Sequence, residues 1–188
     1  VDEALARHCA SISYTYTEPT IYLEYVLDTA TVAKTRGIAN VLVTNGYTTA
    51  DVVRDEFPGL IDAANVDLKA FTERFYKELC KARLKPVLDA ILAYHAAGVW
   101  IEVTTLLIPG ENDSAAELKD IAAFIRSVSE DIPWHISRYY PRYHYDKAPP
   151  TPADALEQAR AIGLAEGLKF VYTGNVPGQA GEHTYCPR

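Results

Sequence analysis

Short apolar runs alternate with helix-like patterns along the whole chain. Runs with strand character occupy residues 11–17, 40–44, 64–68, 99–108, 134–139 and 168–173. Patterns with helical periodicity occupy residues 21–36, 49–56, 72–80, 86–97, 114–128 and 152–166. Hydrophobic periodicity is the primary signal of secondary structure in a single sequence. The order predicts six repeated βα units.

Strands that are joined by crossover helices run parallel, so the pattern predicts an α/β fold with a parallel sheet. A complete eight-unit barrel needs about 250 residues, and six units in 188 residues therefore predict a partial (βα)6 TIM-like barrel. Ser114 and Glu117 have the spacing of a capping box at a helix start. Gly37, Gly98 and Gly167 follow helical patterns and are expected to end them. No linker divides the sequence, which is interpreted as a single domain.

The composition is that of an acidic, soluble, globular protein. Of the 188 residues, 48% are hydrophobic and 23% are charged, and 18 basic against 25 acidic residues give a net charge of −7. Phosphate backbones bind clustered basic surfaces, so nucleic acid is excluded as a general partner. The first residues lack the apolar run of a signal peptide, and no stretch approaches the roughly 18 apolar residues of a membrane span. We therefore expect no membrane anchor.

Cysteine usage bears on the compartment. Cys9, Cys80 and Cys186 fit neither a C-x-x-C metal pair nor an even set of disulfides. We therefore expect a reducing compartment and a cytoplasmic location. The sequence begins at Val1, without Met, inside a helix-like pattern, and it stops soon after a Gly-rich turn. We expect a fragment of a longer protein.

Polar residues follow every predicted strand. The groups are Thr17-Glu18-Pro19, Thr44-Asn45-Gly46, Asp67-Leu68-Lys69, residues 109–113, Ser137-Arg138 and Thr173-Gly174-Asn175. Parallel α/β folds bind ligands at the carboxyl ends of their strands, because those ends converge on one rim. The rim is therefore the candidate site, although residues 44–46 and 109–113 would also suit plain turns.

Asp67 and Lys69 give the sharpest signal at that rim. Period-two geometry puts both side chains on one face of their strand, opposite Leu68. Unpaired buried charge is costly, so the two either pair with each other or engage a ligand, and ligand contact is favoured. Glu18 is the acidic candidate at the end of the first strand, whereas His135 is interpreted as structural.

These motifs, in this order and spacing, resemble one protein family. They are Thr-Glu-Pro at 17–19, Thr-Asn-Gly at 44–46, Asp-Leu-Lys at 67–69, Ile-Pro-Gly-Glu-Asn-Asp at 108–113 and His-Ile-Ser-Arg at 135–138. Over essentially its whole length the sequence is similar to radical SAM proteins that are pyruvate formate-lyase activating enzyme-like, specifically the AmmeMemoRadiSam type. The resemblance implies a partial barrel that binds S-adenosylmethionine (SAM) across its strand ends.

The resemblance also implies which residues contact SAM. The eight strand-end residues that it assigns are Thr17, Glu18, Asn45, Asp67, Lys69, Ile108, Ser137 and Arg138. The first two match the position that holds the methionine amino group. The Asp-x-Lys pair matches residues near the methionine carboxylate and the ribose, and the last three would flank the adenine and ribose. SAM carries a carboxylate, an ammonium and a sulfonium, so a rim with both acid and base can answer each charge.

Two departures from the family pattern stand out. The CxxxCxxC triad that ligates a 4Fe-4S cluster through thiolates is absent, and the three cysteines cannot supply it. In the family that triad lies upstream of the matching segment, so the first βα unit of the barrel is expected to be missing here. Some relatives have His before Pro in the loop after the strand that matches residues 134–139, whereas this chain has Tyr140-Pro141 there.

The resemblance implies radical chemistry in the full-length protein. A 4Fe-4S cluster there would reduce SAM, which would yield methionine and a 5'-deoxyadenosyl radical that abstracts hydrogen from a target. An electron donor such as flavodoxin or ferredoxin and a protein substrate are the implied partners. The fragment alone is expected to be inactive.

Two alternatives remain open at the level of sequence. In the first, Lys69 is a desolvated strand-end amine that forms a Schiff base in a barrel lyase. In the second, the Tyr-rich run at 138–145, with four of the 13 tyrosines, forms a docking surface on a non-catalytic interaction domain.

Overall fold

The computed structural model of the protein describes residues 1–186. Six strands form one sheet, in which they follow the order of the chain. The strands are β1 (Ser11–Tyr14), β2 (Ala39–Thr44), β3 (Ala63–Asp67), β4 (Trp100–Leu107), β5 (Trp134–Arg138) and β6 (Val171–Gly174). Pairing is parallel between β1 and β2, β2 and β3, β4 and β5, and β5 and β6.

Helices lie between all successive strands, as parallel pairing requires. Helix α1 (Asp2–Ala6) precedes β1, and the helices between strands are α2 (Leu23–Thr35), α3 (Ala50–Glu56), α4 (Glu73–Phe75), α5 (Leu84–Ala96), α6 (Ala115–Val128) and α7 (Ala153–Ala165). Two 3-10 turns, Pro19–Tyr22 and Ala180–Glu182, and a π-helical segment, Tyr76–Cys80, complete the secondary structure. The predicted α/β class with six parallel strands is confirmed.

The chain divides into two compact units that interleave in sequence. The first unit comprises Val1–Asp67 and Lys85–Glu102, and it contains β1 to β3. Its core is apolar and includes the fully buried side chains of Val26, Leu42 and Val66. Burial of such side chains contributes roughly 1.5–3 kcal/mol each. The interpretation of the chain as a single domain stays a prediction.

The second unit comprises Leu68–Leu84 and the described residues from Val103 onward. Helix α7 packs against β5 and β6, because Gly163 has no side chain there: an added Cβ would lie 3.0 Å from the ring of Trp134. The Trp134 indole donates to Thr105 Oγ1 at 3.0 Å, and Thr105 in turn donates to the Leu68 carbonyl at 2.8 Å. The buried polar groups at this point are therefore paired.

Several boundaries differ from those that the sequence predicts. β1 ends at Tyr14, and Tyr16, which the alternation placed in the strand, is exposed. Ser114 caps α6 as predicted, since its Oγ accepts from Glu117 N at 3.2 Å. The Glu117 carboxylate does not complete the capping box but accepts from Phe71 N at 2.7 Å. The first turn of α6 is therefore bound to the segment that follows β3.

Candidate strand-end site

Glu18 organises the strand ends of the first unit. It follows β1, is only 7% exposed, and caps the 3-10 turn Pro19–Tyr22. Oε1 accepts from Thr20 N at 3.2 Å, from Thr20 Oγ1 at 3.1 Å and from Thr44 Oγ1 at 2.7 Å. Oε2 accepts from Asn45 N at 2.7 Å. The carboxylate therefore ties the end of β1 to the end of β2.

The charge of Glu18 is held by hydrogen bonds rather than by a cation. Among the described residues, no Lys, Arg or His forms an ion pair with this carboxylate. A carboxylate has about four lone-pair positions, two on each oxygen, and Oε2 receives a single donor. This leaves one acceptor position on a buried anion. A positively charged ligand group is the natural occupant of such a position.

The neighbouring turn presents Asn45. Its Oδ1 accepts from Tyr47 N at 2.8 Å, which closes an Asx turn. Its side chain is half-buried, whereas Thr17 on the adjoining loop is exposed. Gly46 follows with φ +69°, and a Cβ there would lie 2.8 Å from Val66 Cγ1. The turn therefore requires glycine both for its conformation and for its close packing.

Tyr94 of α5 lies beside this cluster in the first unit. The residue is 0% exposed, and its ring stacks on Phe57 with centroids 5.6 Å apart. Burial raises the pKa of the Tyr94 hydroxyl, the Glu18 carboxylate raises it further, and Thr44 opposes the shift. The phenol therefore stays protonated at neutral pH.

Asp67 and Lys69 follow the predicted alternation of burial. Asp67 and Lys69 are half-buried, whereas Leu68 between them is fully buried. Asp67 ends β3 in the first unit, and Lys69 belongs to the second. Burial raises the pKa of the Cys80 thiol, and the positive charge of Lys69 opposes that shift. Both charged side chains therefore keep part of their surface exposed.

Asn112 fixes the backbone around Lys69 in the second unit. Its Oδ1 accepts from Ile108 N at 2.7 Å, and its Nδ2 donates to the carbonyls of Lys69 at 2.7 Å and Leu106 at 2.9 Å. Lys69 N donates to Tyr76 Oη at 3.2 Å. The main chain of Lys69 is therefore held on both sides while its side chain extends from a fixed point.

Thr151 fixes the end of β5. Its Oγ1 donates to the Leu107 carbonyl at 2.5 Å and accepts from Tyr139 N at 3.0 Å. The Thr151 carbonyl accepts from Arg138 Nε at 2.6 Å. The guanidinium also donates to Tyr140 Oη at 2.9 Å and lies over that ring. Arg138 is therefore held along the end of β5 rather than extended into solvent.

Ser137 lies beside a position where a side chain is absent. A Cβ on Gly174 would come within 3.2 Å of Ser137 Oγ. β5 and β6 pair with Ser137 opposite Gly174. Glycine at position 174 therefore leaves room for the hydroxyl of the half-buried Ser137.

The predicted site residues therefore fall into separate groups. Glu18 contacts Asn45 in the first unit, and Asn112 joins Lys69 to Ile108 in the second. Four residues that organise these groups were not among the predicted site residues: Thr44, Tyr94, Asn112 and Thr151. The first and third lie inside the strand-end motifs, which could have indicated them. The other two carry no local signal, because one lies on an apolar helical stripe and the other follows a proline pair.

Cysteine positions do not suit an iron-sulfur cluster. Cys9 and Cys186 are exposed, Cys80 is half-buried, and all three are free thiols. Within residues 1–186 no group of three or more His, Cys, Asp or Glu side chains could hold a metal ion. The donor set of the described chain therefore does not fit a 4Fe-4S cluster. Within the same residues no helix has the length and apolar character needed to span a bilayer.

A hollow of about 290 Å³ lies elsewhere in the first unit, between α3 and α5. Its lining residues are Ala50, Arg54, Pro58, Ala93, Ala96 and Ala97. Arg54 forms ion pairs with Asp51 and Asp55 at 2.8 Å each. The hollow is therefore apolar, its one lining cation is already paired, and none of the strand-end residues lines it.

Comparison with known sequences identifies relatives. The profile of the radical SAM superfamily matches residues 1–125. An uncharacterized protein of Methanocaldococcus jannaschii is 45% identical over 189 residues, and the match covers 100% of this chain and 55% of that protein. The chain therefore spans about half the length of this curated relative.

Comparison with solved structures confirms the fold class. A domain of pyruvate-formate lyase-activating enzyme from Bacteroides vulgatus superposes with a TM-score of 0.77 at 20% identity, over 88% of this chain and 99% of that one. A radical SAM methyltransferase from Sphaerobacter thermophilus gives a TM-score of 0.71 at 15% identity, over 87% of this chain and 50% of that one. At these identities the similarity shows the fold alone.

Proposed function

Because this chain belongs to the radical SAM superfamily, we propose that it is the SAM-binding part of an enzyme similar to pyruvate formate-lyase activating enzyme. Superfamily membership supports SAM-dependent radical chemistry. In the full-length protein, SAM supplies a 5'-deoxyadenosyl radical that abstracts hydrogen from a target. The described residues do not fit the 4Fe-4S cluster that the superfamily implies, so this chain contributes binding and orientation of SAM.

The observation that carries the proposal is the buried Glu18 carboxylate. It is an anion without a paired cation, it lies at a strand end, and Oε2 has a remaining acceptor position. The methionine ammonium of SAM would satisfy both the charge and the acceptor. Thr17 on the same loop is exposed and would contact the same end of the ligand. Asn45, whose backbone is already bound to Glu18, would line the next strand end.

The remaining assigned residues would hold the other parts of SAM. Asp67 and Lys69 are half-buried, and Lys69 offers a cation for the methionine carboxylate. Ile108 offers apolar surface to the adenine, and Ser137 offers a hydroxyl to the ribose or base. Arg138, held by Thr151 and Tyr140, would border the nucleoside.

The wider setting of the enzyme is also proposed. A radical SAM enzyme needs a source of single electrons, and flavodoxin or ferredoxin is the expected class of donor. The target of the radical is proposed to be a protein, by similarity to an activating enzyme. The location is proposed to be cytoplasmic.

Titration calorimetry with SAM tests the site. Glu18→Ala and Lys69→Ala should each weaken binding about tenfold, because each removes a charge-assisted contact that contributes roughly 1.5 kcal/mol. Glu24→Ala and Lys77→Ala remove exposed residues of the same types and should leave affinity unchanged. If neither Glu18→Ala nor Lys69→Ala weakens binding, the assignment of the site is wrong.

A second experiment tests whether the ligands of the 4Fe-4S cluster lie outside this chain. The isolated 188-residue chain, after treatment with iron, sulfide and a reductant, should release no methionine or 5'-deoxyadenosine from SAM, because residues 1–186 contain no group of side chains that could hold the cluster. The full-length protein under the same treatment should release both. Cleavage by the isolated chain would contradict the proposal that the ligands lie elsewhere.

A further inference from the structure

The four tyrosines of the Tyr-rich run differ in exposure. Tyr139 is 6% exposed and Tyr145 is half-buried, whereas Tyr143 is 93% exposed. Tyr140 is also exposed, but the Arg138 guanidinium lies 4.9 Å from the centroid of its ring. Of the four side chains, Tyr143 therefore presents the most surface to a partner.

The two inward tyrosines brace the segment 140–150. Tyr139 Oη donates to the Tyr145 carbonyl at 2.7 Å, and the two rings meet edge to face with centroids 6.0 Å apart. Tyr145 Oη donates to Glu111 Oε1 at 2.9 Å, and Glu111 Oε2 accepts from Arg74 Nη1 at 3.3 Å. The middle of the segment is therefore bound to the loop that follows β4.

The braced segment turns at an exposed tip, Arg142-Tyr143-His144. Tyr145 N donates to the Arg142 carbonyl at 3.1 Å, which closes the turn. All three tip residues are exposed, and the rings of Tyr143 and His144 have centroids 3.9 Å apart. A loop that is ordered before its partner arrives loses less entropy on binding. Tyr and Arg are also the residue types enriched at the hot spots of interfaces.

The charge of the segment is opposite in sign to that of the whole chain. The segment carries two basic residues, Arg142 and Lys147, and one acidic residue, Asp146, whereas the chain has a net charge of −7. Both cations are exposed, and within residues 1–186 neither forms an ion pair. An acidic partner is repelled by the chain as a whole and attracted locally by unpaired cations, so the charge pattern directs it to this segment.

We propose that the tip, together with Lys147, is a docking surface for an acidic segment of the protein on which the radical acts. This inference rests on the proposed function, in which the target is a protein. Carboxylates of the target would pair with Arg142 and Lys147, and apolar groups beside them would contact the Tyr143 ring. Arg138, which is proposed to border the nucleoside of SAM, ends β5 immediately before the segment. The docked polypeptide would therefore be held beside the end of β5.

Fluorescence anisotropy with the full-length protein tests the surface. The probe is a fluorescein-labelled peptide of four Glu-Leu repeats. Arg142→Ala and Tyr143→Ala should each raise its dissociation constant about 3- to 10-fold, because each removes one anchor of the interface. Arg83→Ala and Tyr25→Ala remove an exposed arginine and an exposed tyrosine elsewhere and should leave affinity unchanged. Equal losses in tip and control variants, or equally tight binding of a Lys-Leu peptide, would overturn the inference.

Tyr145→Phe tests whether the bracing matters. The substitution leaves the composition of the tip unchanged but removes the bond to Glu111. The Glu-Leu peptide should bind about threefold more weakly, and trypsin should cleave faster after Arg142, because the tip is ordered only on binding. Tyr172→Phe, which removes an exposed hydrogen bond to Thr184, should change neither measurement. Wild-type affinity in Tyr145→Phe would overturn the inference that the tip is a preformed surface.

Two further measurements separate this inference from its rivals. Oligouridylate should not displace the Glu-Leu peptide, and displacement that depends on Arg142 and Tyr143 would assign the surface to RNA instead of a protein. SAM affinity, measured on the same protein, should be unchanged in Arg142→Ala. Failure of the wild-type protein to bind SAM would overturn the proposed function together with this inference. Normal SAM binding without tip-dependent binding of the peptide would overturn this inference alone.

Discussion

Two buried polar side chains hold strand ends in this protein, and they do so in different ways. Glu18, in the first unit, is an anion that accepts four hydrogen bonds and donates none. Asn112, in the second unit, is neutral: it accepts from Ile108 N and donates to the carbonyls of Lys69 and Leu106. Both are buried, at 7% and 0% exposure.

The difference separates a group that can respond to a ligand from one that cannot. Asn112 is fully buried, and both ends of its amide are bound to backbone, so it has no exposed surface for a ligand. Glu18 has no cation among its partners in the described chain, and its Oε2 accepts a single hydrogen bond, so it has room for a further donor. A buried polar residue is therefore a better candidate for binding when its charge is unpaired than when its hydrogen bonds are complete.

The largest effect should come from removing the hydrogen bonds of Asn112 in the second unit. Asn112→Ala leaves three backbone groups unpaired at the ends of β3 and β4, and we expect the free energy of unfolding to fall by about 3 kcal/mol. Urea denaturation measures this. Asp113→Ala, which removes one exposed bond to Gly110 N, should cost less than about 1 kcal/mol. Equal losses in the two variants would contradict the distinction.

The second-largest effect should come from the turn at Gly46, next to the residues that Glu18 binds. Gly46→Ala combines a left-handed backbone with a 2.8 Å contact to Val66, and we expect a loss of about 2–3 kcal/mol together with weaker SAM binding. Gly37→Ala has a similar φ of +75° but meets nothing within 4 Å, so it should cost about 1 kcal/mol and leave binding unchanged. Thermal unfolding and calorimetry distinguish the two outcomes. A Gly46→Ala protein with wild-type affinity would argue against this turn as part of the site.

A smaller effect is expected at Thr151. Thr151→Val keeps the shape of the side chain but removes the donor to Leu107 and the acceptor for Tyr139 N, and we expect a loss of about 1–2 kcal/mol. The loop that follows β5 should become more sensitive to limited proteolysis. Thr31→Val removes only an exposed bond to the Leu27 carbonyl and serves as the control. Unchanged protease sensitivity in Thr151→Val would show that Thr151 does not fix the loop.

The smallest effect concerns pH. Burial raises the pKa of Glu117, although Phe71 N and Arg74 oppose the shift. When the pKa of a carboxyl is higher in the folded than in the unfolded protein, the free energy of unfolding falls as the pH rises from the ordinary pKa of 4.5 through the pKa of the folded state. Glu117→Gln keeps the acceptor for Phe71 N without the charge, so it should equal or exceed the wild-type stability at pH 7. Urea titrations at pH 4 and pH 7 should show this gain only at the higher pH.

Much of the fold could be predicted from the sequence because its signals are local. The alternation around residues 64–68 and the glycines at helix ends place elements without reference to distant contacts. The boundaries that differ depend on contacts between residues distant in sequence or on local backbone conformations. The predicted helix at 72–80 is a short α-turn followed by a π segment that ends at Lys81, whose φ is +56°. Nothing in the local pattern distinguishes that geometry from a regular helix.

The candidate site is predictable only in part, for the same reason. Strand-end position indicated Glu18 and Lys69, because parallel strands present their carboxyl ends together. The partners of those residues are distant in sequence: Glu18 and Thr44 are 26 positions apart, and Lys69 and Asn112 are 43 apart. Tyr94 is further removed still, since it reaches the cluster from a helix. Such pairings require the packed structure.

The bonds between Tyr139 and Thr151 have one more consequence. Thr151 N donates to the Tyr139 carbonyl, and Tyr139 N donates to Thr151 Oγ1, at the base of the segment 140–150, whose Tyr143 is 93% exposed. Because these two bonds close the base of the segment between β5 and α7, the intervening residues can change in length or composition without altering β5. Sequence differences between relatives are therefore expected to concentrate in this exposed segment rather than in β5.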